Sequence, residues 1–317
     1  MENILKEIGA IILDTGGFAL EKWQSGKFHT EQVLRRLRER MDFKTFDREV
    51  TELITAKLSL LGVTDRFLTE EGMDDPRFDQ QGDLRWVLDE IDGTSNSASG
   101  ELDWGHSIAL ENNGEITYAA LFTPARGELL LASKTEAYFL DTYGIKPDDV
   151  ALERTPPKPF KTSELRYRLP QRGTTKNPLE RIRCYIHPGR KRNFELSDKN
   201  PLNRLYAKVA NPACTFSCTA ALIKVALGKL DGAVIGFQNY WDIAAGRLIV
   251  EKAGGYFAAF PLAKSVNAPW PKKQLGSTDF ARAYAVDAEG QEWQCHIIAA
   301  GEKEVFDALV NFMTLGY

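Results

Sequence analysis

Apolar residues recur every three to four positions at the start of the chain, at Ile4, Leu5, Ile8, Ile11 and Ile12, with Glu2, Lys6, Glu7 and Asp14 around them. That spacing predicts an amphipathic helix. The same period returns in "FDREVTELITAKLSLLG" through Val50, Leu53, Ile54, Leu58 and Leu61, and Gly62 is placed to end it. The pattern then changes. "RFLTEEG" predicts a short strand running into acids, and Trp86, Val87 and Leu88 a buried strand that closes in a tight turn at Gly93. Two acid-tipped strands in succession suggest a shared edge. From Ser107 to Leu140 the chain is strand material broken at Asn112-Asn113-Gly114 and Pro124-Ala125-Arg126-Gly127, an antiparallel meander.

Beyond residue 211 the helical period reappears. "TFSCTAALIKVALGKLDGAVIG" predicts a helix, a stop at Gly228 and a short strand; "YWDIAAGRLIVEKAGG" predicts a helix from Asp242 to Gly254-Gly255; "CHIIAAGEKEVFDALVNFM" adds a strand and a closing helix. Between about 142 and 211 the composition shifts to Pro, Lys and Arg. The chain therefore reads as α/β, with an α+β N-terminal lobe over 1–145 and an α/β C-terminal lobe over 146–317.

Composition narrows the function classes. A formal charge of −4 over 317 residues gives no global field toward nucleic acid or an acidic membrane surface. No stretch approaches the roughly 18 consecutive apolar residues of a membrane span, and the N-terminus lacks the cationic leader and apolar core of a signal peptide. Cys184, Cys214, Cys218 and Cys295 form no CxxC pair, which speaks against a zinc ribbon or dithiol centre and for buried free thiols in a reducing compartment. We expect a cytoplasmic protein.

"WVLDEIDGTSNSASG" places Asp89, Glu90 and Asp92 where a strand runs out, with no Lys or Arg inside the stretch. Crowded carboxylates cost several kcal/mol unless neutralised, and a divalent metal ion would do so. Magnesium takes one or two carboxylates with water and substrate phosphate. Glu70, Asp89, Asp92 and Asp242 are the candidates, each at a strand end or helix start, with the Ile91 carbonyl between two of them. Gly93 turns the chain into a helix start whose N–H groups suit phosphate oxygens, and the Thr94 hydroxyl adds a further polar group. Together these fit metal-assisted phosphoryl hydrolysis.

"DEIDGT" at 89–94, "EE" at 70–71 and "WDIAAG" at 241–246 resemble the three signatures of the inositol monophosphatase family of magnesium-dependent, lithium-sensitive phosphatases. "GHSIAL" and "KTFDREVTELI" resemble its neighbouring segments, with Asp47 matching a family acid. The resemblance implies a layered α/β/α/β/α sandwich of the inositol monophosphatase and fructose-1,6-bisphosphatase type. It implies two or three Mg2+ ions: Glu70, Asp89 and the Ile91 carbonyl on the first, Asp89, Asp92 and Asp242 on the second. Thr94 and Glu70, with Asp47 behind Thr94, would orient the attacking water. Gly93, Thr94 and Ser217 would bind phosphate, and a homodimer is implied as well. Glu90 replaces the usual proline and Thr69 the usual glycine. Ser97, Phe216 and Ile235 depart on the substrate side, Ile235 where inositol-specific members carry a hydroxyl-binding glutamate.

Taken singly, Asp242 reads as a helix cap, Glu70 and Glu71 as a solvated loop, and Asp89 and Asp92 as a turn with Gly93. The basic stretch from Arg166 to Lys208 reads as a solvated face, or else Arg190, Lys191 and Arg192 hold a second phosphate, Arg190 and Arg192 through bidentate forks. His187 reads as a surface histidine. Trp86 reads as core, and Trp241 either walls the pocket or packs in the core. The expected function is a magnesium-dependent phosphomonoesterase acting on a small phosphate ester, a sugar or nucleotide phosphate rather than plain inositol phosphate. The alternative is a non-catalytic phosphometabolite- or partner-binding protein on the same fold. Nucleic-acid and membrane partners are not expected.

Overall fold

The computed structural model describes residues 3–24, 42–71, 83–143, 157–165, 177–187, 199–265, 267–281, 283 and 293–315, with side chains from 46 onward in the second helix and up to 164 in the fourth segment. Two helices open the chain, α1 (Asn3–Gln24) and α2 (Asp42–Ser59). A seven-stranded sheet follows: β1 (Phe67–Thr69), β2 (Leu84–Asp92), β3 (Gly105–Asn112), β4 (Glu115–Thr123), β5 (Glu128–Ser133), β6 (Ala137–Asp141) and β7 (Lys158–Pro159), in that spatial order. β1 runs parallel to β2 and every later pair is antiparallel. Helix α3 (Thr94–Ser99) interrupts the run after β2. The second sheet has the order β11-β12-β10-β8-β9, built from β8 (Arg183–His187), β9 (Asn211–Ala213), β10 (Gly232–Gln238), β11 (Tyr256–Phe260) and β12 (Cys295–Ala300). Its helices are α4 (Pro201–Lys208), α5 (Cys218–Ala226), α6 (Tyr240–Lys252) and α7 (Lys303–Leu315).

The period-two alternation of the strands sorts their side chains into separate cores. Trp86, Leu88, Ile108 and Leu110 join Leu5, Ile8 and Ile12 of α1 and Val50, Ile54 and Leu58 of α2. Val87 and Ala109 point the other way, onto Leu222 and Ile223 of α5 and Ile243 and Leu248 of α6. The same middle core takes Tyr185, Ile235 and Ile297 from the second sheet, whereas Cys184, Ile186, Val234 and Ile298 face Leu202, Leu205 and Leu309 in the outer layer. The result is the expected α/β/α/β/α sandwich. α5 and α6, apolar nearly all round, form its middle layer. Strand β7 lies beyond residue 145 and still extends the first sheet, so the compositional shift near 145 does not coincide with the sheet's edge.

Hairpin β3–β4 turns through Asn113 and Gly114, both at positive φ, as the Asn-Asn-Gly signal demands. The thiols divide differently from expectation. Cys184, Cys218 and Cys295 are buried and unpaired, but Cys214 is exposed, because it follows β9 at the open edge of the second sheet. Trp241 is buried in the middle core, as its packing alternative expected.

Candidate active site

β1 and β2 are parallel neighbours, so both point their C-terminal ends toward the same edge, and the acids after each meet there. Glu70 lies directly after β1, Asp89 within the end of β2, and Asp242 in the first turn of α6. Carboxylate oxygens of these three lie within 4.8 Å of one another. Asp242 is not the N-cap its position suggested: the helix begins at Tyr240 with Asn239 as N-cap, and Asp242, at the third helical position, accepts the Asn239 backbone N–H at 2.8 Å through Oδ2. Its other oxygen is left for a cation.

Burial raises the Asp89 carboxyl well above the ordinary range, and Glu70, Asp92, Asp242 and Glu90, all acids, push it further. Asp242 is raised in the same way, by burial and by Glu70 and Asp92. Asp89 Oδ1 is buried with no hydrogen-bond partner. Hard oxygen donors, mutual repulsion and an orphaned buried carboxylate oxygen together fit a divalent cation such as Mg2+.

Asp92 sits at the same cavity but is partly committed. Its Oδ2 accepts the Ser217 hydroxyl at 2.6 Å and the backbone N–H of Thr219 in the first turn of α5. Burial raises its pKa while these donors pull it back. Ser217, expected on the phosphate side, is 1% exposed and is absent from the cavity lining; its Oγ accepts the Ala220 N–H at 3.0 Å and caps α5. The first sheet and the middle layer are thereby tied together beside the acids.

Gly93 adopts φ +82, and a Cβ there would lie 2.9 Å from the Asp103 carbonyl and 3.1 Å from Ser217 Cβ. Only glycine satisfies both the left-handed backbone and the close approach. Thr94 Oγ1 lies 3.0 Å from the Ile91 carbonyl and 3.5 Å from Asp47 Oδ2. The Asp47 carboxyl is raised to about 8, by burial first and then by Glu71 and Glu70, with Thr94 opposing. Asp47 therefore does stand behind Thr94. Asn96, unmarked by any sequence signal, donates to the carbonyls of Asp103 and Thr215 and holds α3 against the segment leading into α5.

These groups close one end of a cavity of about 870 Å³. Tyr185, His187, Tyr206, Phe216, Ile235 and Phe237 line the same cavity. His187 is thus half-buried on the cavity wall rather than a surface histidine, stacked on Tyr185 with ring centroids 6.2 Å apart, and burial lowers its pKa to about 4. Phe237 reaches the cavity because the pairing of β10 with β12 breaks between Ile235 and Gln238. Gly236 inside the strand is compatible with such a break, which was not among the sequence expectations. Arg190, Lys191 and Arg192 lie outside the described residues. Elsewhere in the basic stretch, Arg181 pairs with Glu304 of α7 and Arg204 lies over Phe312, both in the outer layer.

A layered α/β sandwich with an acid cluster at the ends of parallel strands defines a class, and the comparisons agree with it. The inositol monophosphatase family profile matches residues 3–269, and the chain belongs to that family. Among its relatives, the protein named Nus factor SuhB of Xylella fastidiosa is 30% identical over 250 residues, 77% of this chain and 76% of that one. The inositol-1-monophosphatase of Rhizobium meliloti is 30% identical over 210 residues, 66% and 69% of the two chains. The extragenic suppressor protein suhB of Bartonella henselae superposes with a TM-score of 0.63 at 20% identity, over 99% of each chain, a likeness of fold. No helix among the described residues is long and apolar enough to cross a membrane.

Proposed function

We propose that the protein is a magnesium-dependent phosphomonoesterase acting on a small phosphate ester, a sugar or nucleotide phosphate rather than plain inositol phosphate. The observation that carries this is the meeting of Glu70, Asp89 and Asp242 beside the Thr94–Asp47 pair on one cavity. Glu70, Asp89 and Asp242, with the Ile91 carbonyl and the second oxygen of Asp92, would hold two or three Mg2+ ions. When bound, such ions polarise the phosphoryl oxygens and make water a better nucleophile near neutral pH.

The chain's own residues do the rest. Gly93 opens the turn so that the N–H groups at the start of α3, which have no partner inside the helix, face the phosphate. Thr94 Oγ1 orients the attacking water and accepts its proton while passing its own to Asp47 Oδ2. Asp47 accepts that proton in its ionised form, and because burial and the neighbouring acids raise its pKa to about 8, the step gains as pH rises toward that value. The apolar Ile235 offers no hydrogen bond to a polyol, which supports a substrate other than plain inositol phosphate.

The test is phosphate release with Mg2+ from inositol phosphates, sugar phosphates and nucleoside phosphates, with Thr94→Ala and chelator as controls. Release from one class, lost in both controls, supports the reading; release unchanged by Thr94→Ala sinks it. A second reading, a partner- or phosphometabolite-binding protein, is favoured by the name Nus factor carried by several relatives. It predicts that a phosphorylated ligand binds and stays intact. A cytoplasmic location and a homodimer complete the proposal, the latter to be read by sedimentation.

A further inference from the structure

The aromatic part of the cavity wall is unusual in how its backbone is held. Among the described residues three non-glycine positions have positive φ: Asn113, in a hairpin turn, and Phe216 and Phe237, both at φ 52 and both on this wall. A bulky side chain in the left-handed region is uncommon and costs free energy. Phe216 adds a second cost, because 63% of it is exposed to solvent. Strain of this kind, carried by an exposed ring on a cavity wall, points to a ligand that uses the ring.

We propose that this wall is a stacking subsite for a flat, uncharged ring carried by the alcohol part of the phosphate ester, with Phe216 and His187 as its platform. The inference rests on the phosphatase reading above and names the substrate class for it. His187 meets Phe216 edge-on, with centroids 5.4 Å apart and planes at 89°, so the two rings form a corner. Tyr185 backs His187 and fixes its plane. Burial keeps the imidazole neutral at physiological pH, so it presents a ring face rather than a charge. Tyr206 and Ile235 line the same cavity. A polyol placed here would give up hydrogen bonds to water without replacement, which is unfavourable; a flat ring would bury apolar area against aromatic faces, which is favourable. The cavity volume of about 870 Å³ accommodates a phosphate and a fused ring system together.

Two sources supply such a ring, a nucleobase and a simple aryl group. Adenosine 2′-monophosphate, 1-naphthyl phosphate and glycerol 2-phosphate would be compared with Mg2+ present, by calorimetric Kd and by phosphate release, in the wild type, Phe216→Gly and Phe216→Trp. Base and aryl stacking on one aromatic side chain is worth roughly a tenfold preference or more. The wild type is expected to bind at least one ring ester about tenfold more tightly than glycerol 2-phosphate. Phe216→Gly should collapse that ratio and Phe216→Trp restore it. Glycine suits φ 52, so Phe216→Gly should melt no lower than wild type, which separates lost stacking from lost folding.

Preference for the adenosine ester alone assigns a nucleobase, for the naphthyl ester alone an aryl group, and for both an unselective platform. Equal affinity for ring and glycerol esters in the wild type, or a ratio unmoved by Phe216→Gly, overturns the proposal. If no ester is hydrolysed while the ring preference and its loss persist, the phosphatase reading fails and the stacking subsite stands.

Discussion

Gly246 belongs to the "WDIAAG" stretch but touches no candidate ligand; it lies one turn beyond Asp242 on α6. A Cβ at this position would lie 2.2 Å from Leu222 Cδ1 and 3.1 Å from its Cβ and Cγ, and Leu222 is fully buried on α5. The glycine is therefore the contact that lets the two middle-layer helices approach. Two effects oppose in Gly246→Ala. Alanine in a helix interior is favoured over glycine by about 1 kcal/mol, while forcing a methyl into a filled core costs about 1–3 kcal/mol. The net is a loss of about 1 kcal/mol, because Leu222 is fully buried and its Cβ and Cγ, not only its terminal methyl, lie at 3.1 Å. With about 2.1 cal/mol/K of unfolding entropy per residue, a chain of 317 residues loses about 1.5 °C in Tm for each kcal/mol. The decisive measurement is a cycle of denaturant midpoints. Leu222→Ala alone should cost about 2–5 kcal/mol, and adding Gly246→Ala to it should restore up to about 1 kcal/mol, reversing the sign seen in the wild type. If Gly246→Ala stabilises the wild type as much as it stabilises Leu222→Ala, the close-approach argument is wrong.

Asp242→Asn should raise the Tm of the magnesium-free protein by relieving carboxylate repulsion, yet abolish stabilisation by Mg2+, which in the wild type at 100 times Kd is about 2.7 kcal/mol; a retained Mg2+ response in thermal melts would remove Asp242 from the ligand set. Asp47→Asn should lower kcat by about a hundredfold or more with little change in Mg2+ affinity. Its pH–rate profile should lose the limb that rises toward pH 8 in the wild type, a limb that bound cations shift to lower pH. His106 is buried, its Nδ1 held to the Glu90 carbonyl, and its pKa is lowered to about 4 from an unfolded value near 6.5. The unfolded chain takes up that proton first, so stability falls as pH drops from 6.5 to 4, by about 3 kcal/mol in all; His106→Asn should flatten the fall, and melts at stepped pH read it. Arg85 and Glu111 are each 1% exposed and 3.1 Å apart, and Arg85 also donates to the Phe280 carbonyl. Glu111→Gln should cost about 3–5 kcal/mol by stranding a buried guanidinium, whereas Arg85→Met with Glu111→Leu should recover most of it.

Features that depend on near neighbours along the chain were legible before any fold was known. The 3.6 period of α1 and α2, the apolar runs of β2 and β3, the Asn-Asn-Gly turn and the glycine stops are local preferences, and each became the element it predicted. The acids Glu70, Asp89 and Asp242 were legible because strand ends and helix starts are where distant segments meet, and a charge there needs a partner from elsewhere. How those acids divide their oxygens depends on contacts between segments far apart in the chain. Asp92 is partly spent on Ser217 and Thr219, more than a hundred residues away, and Ser217 serves α5 rather than the cavity. No pattern near Asn96, His187 or Phe237 announced a site, because their roles come from which sheet edge faces which. Side-chain periodicity says which face is apolar, but the packing of the two sheets on one pair of helices determines what that face meets.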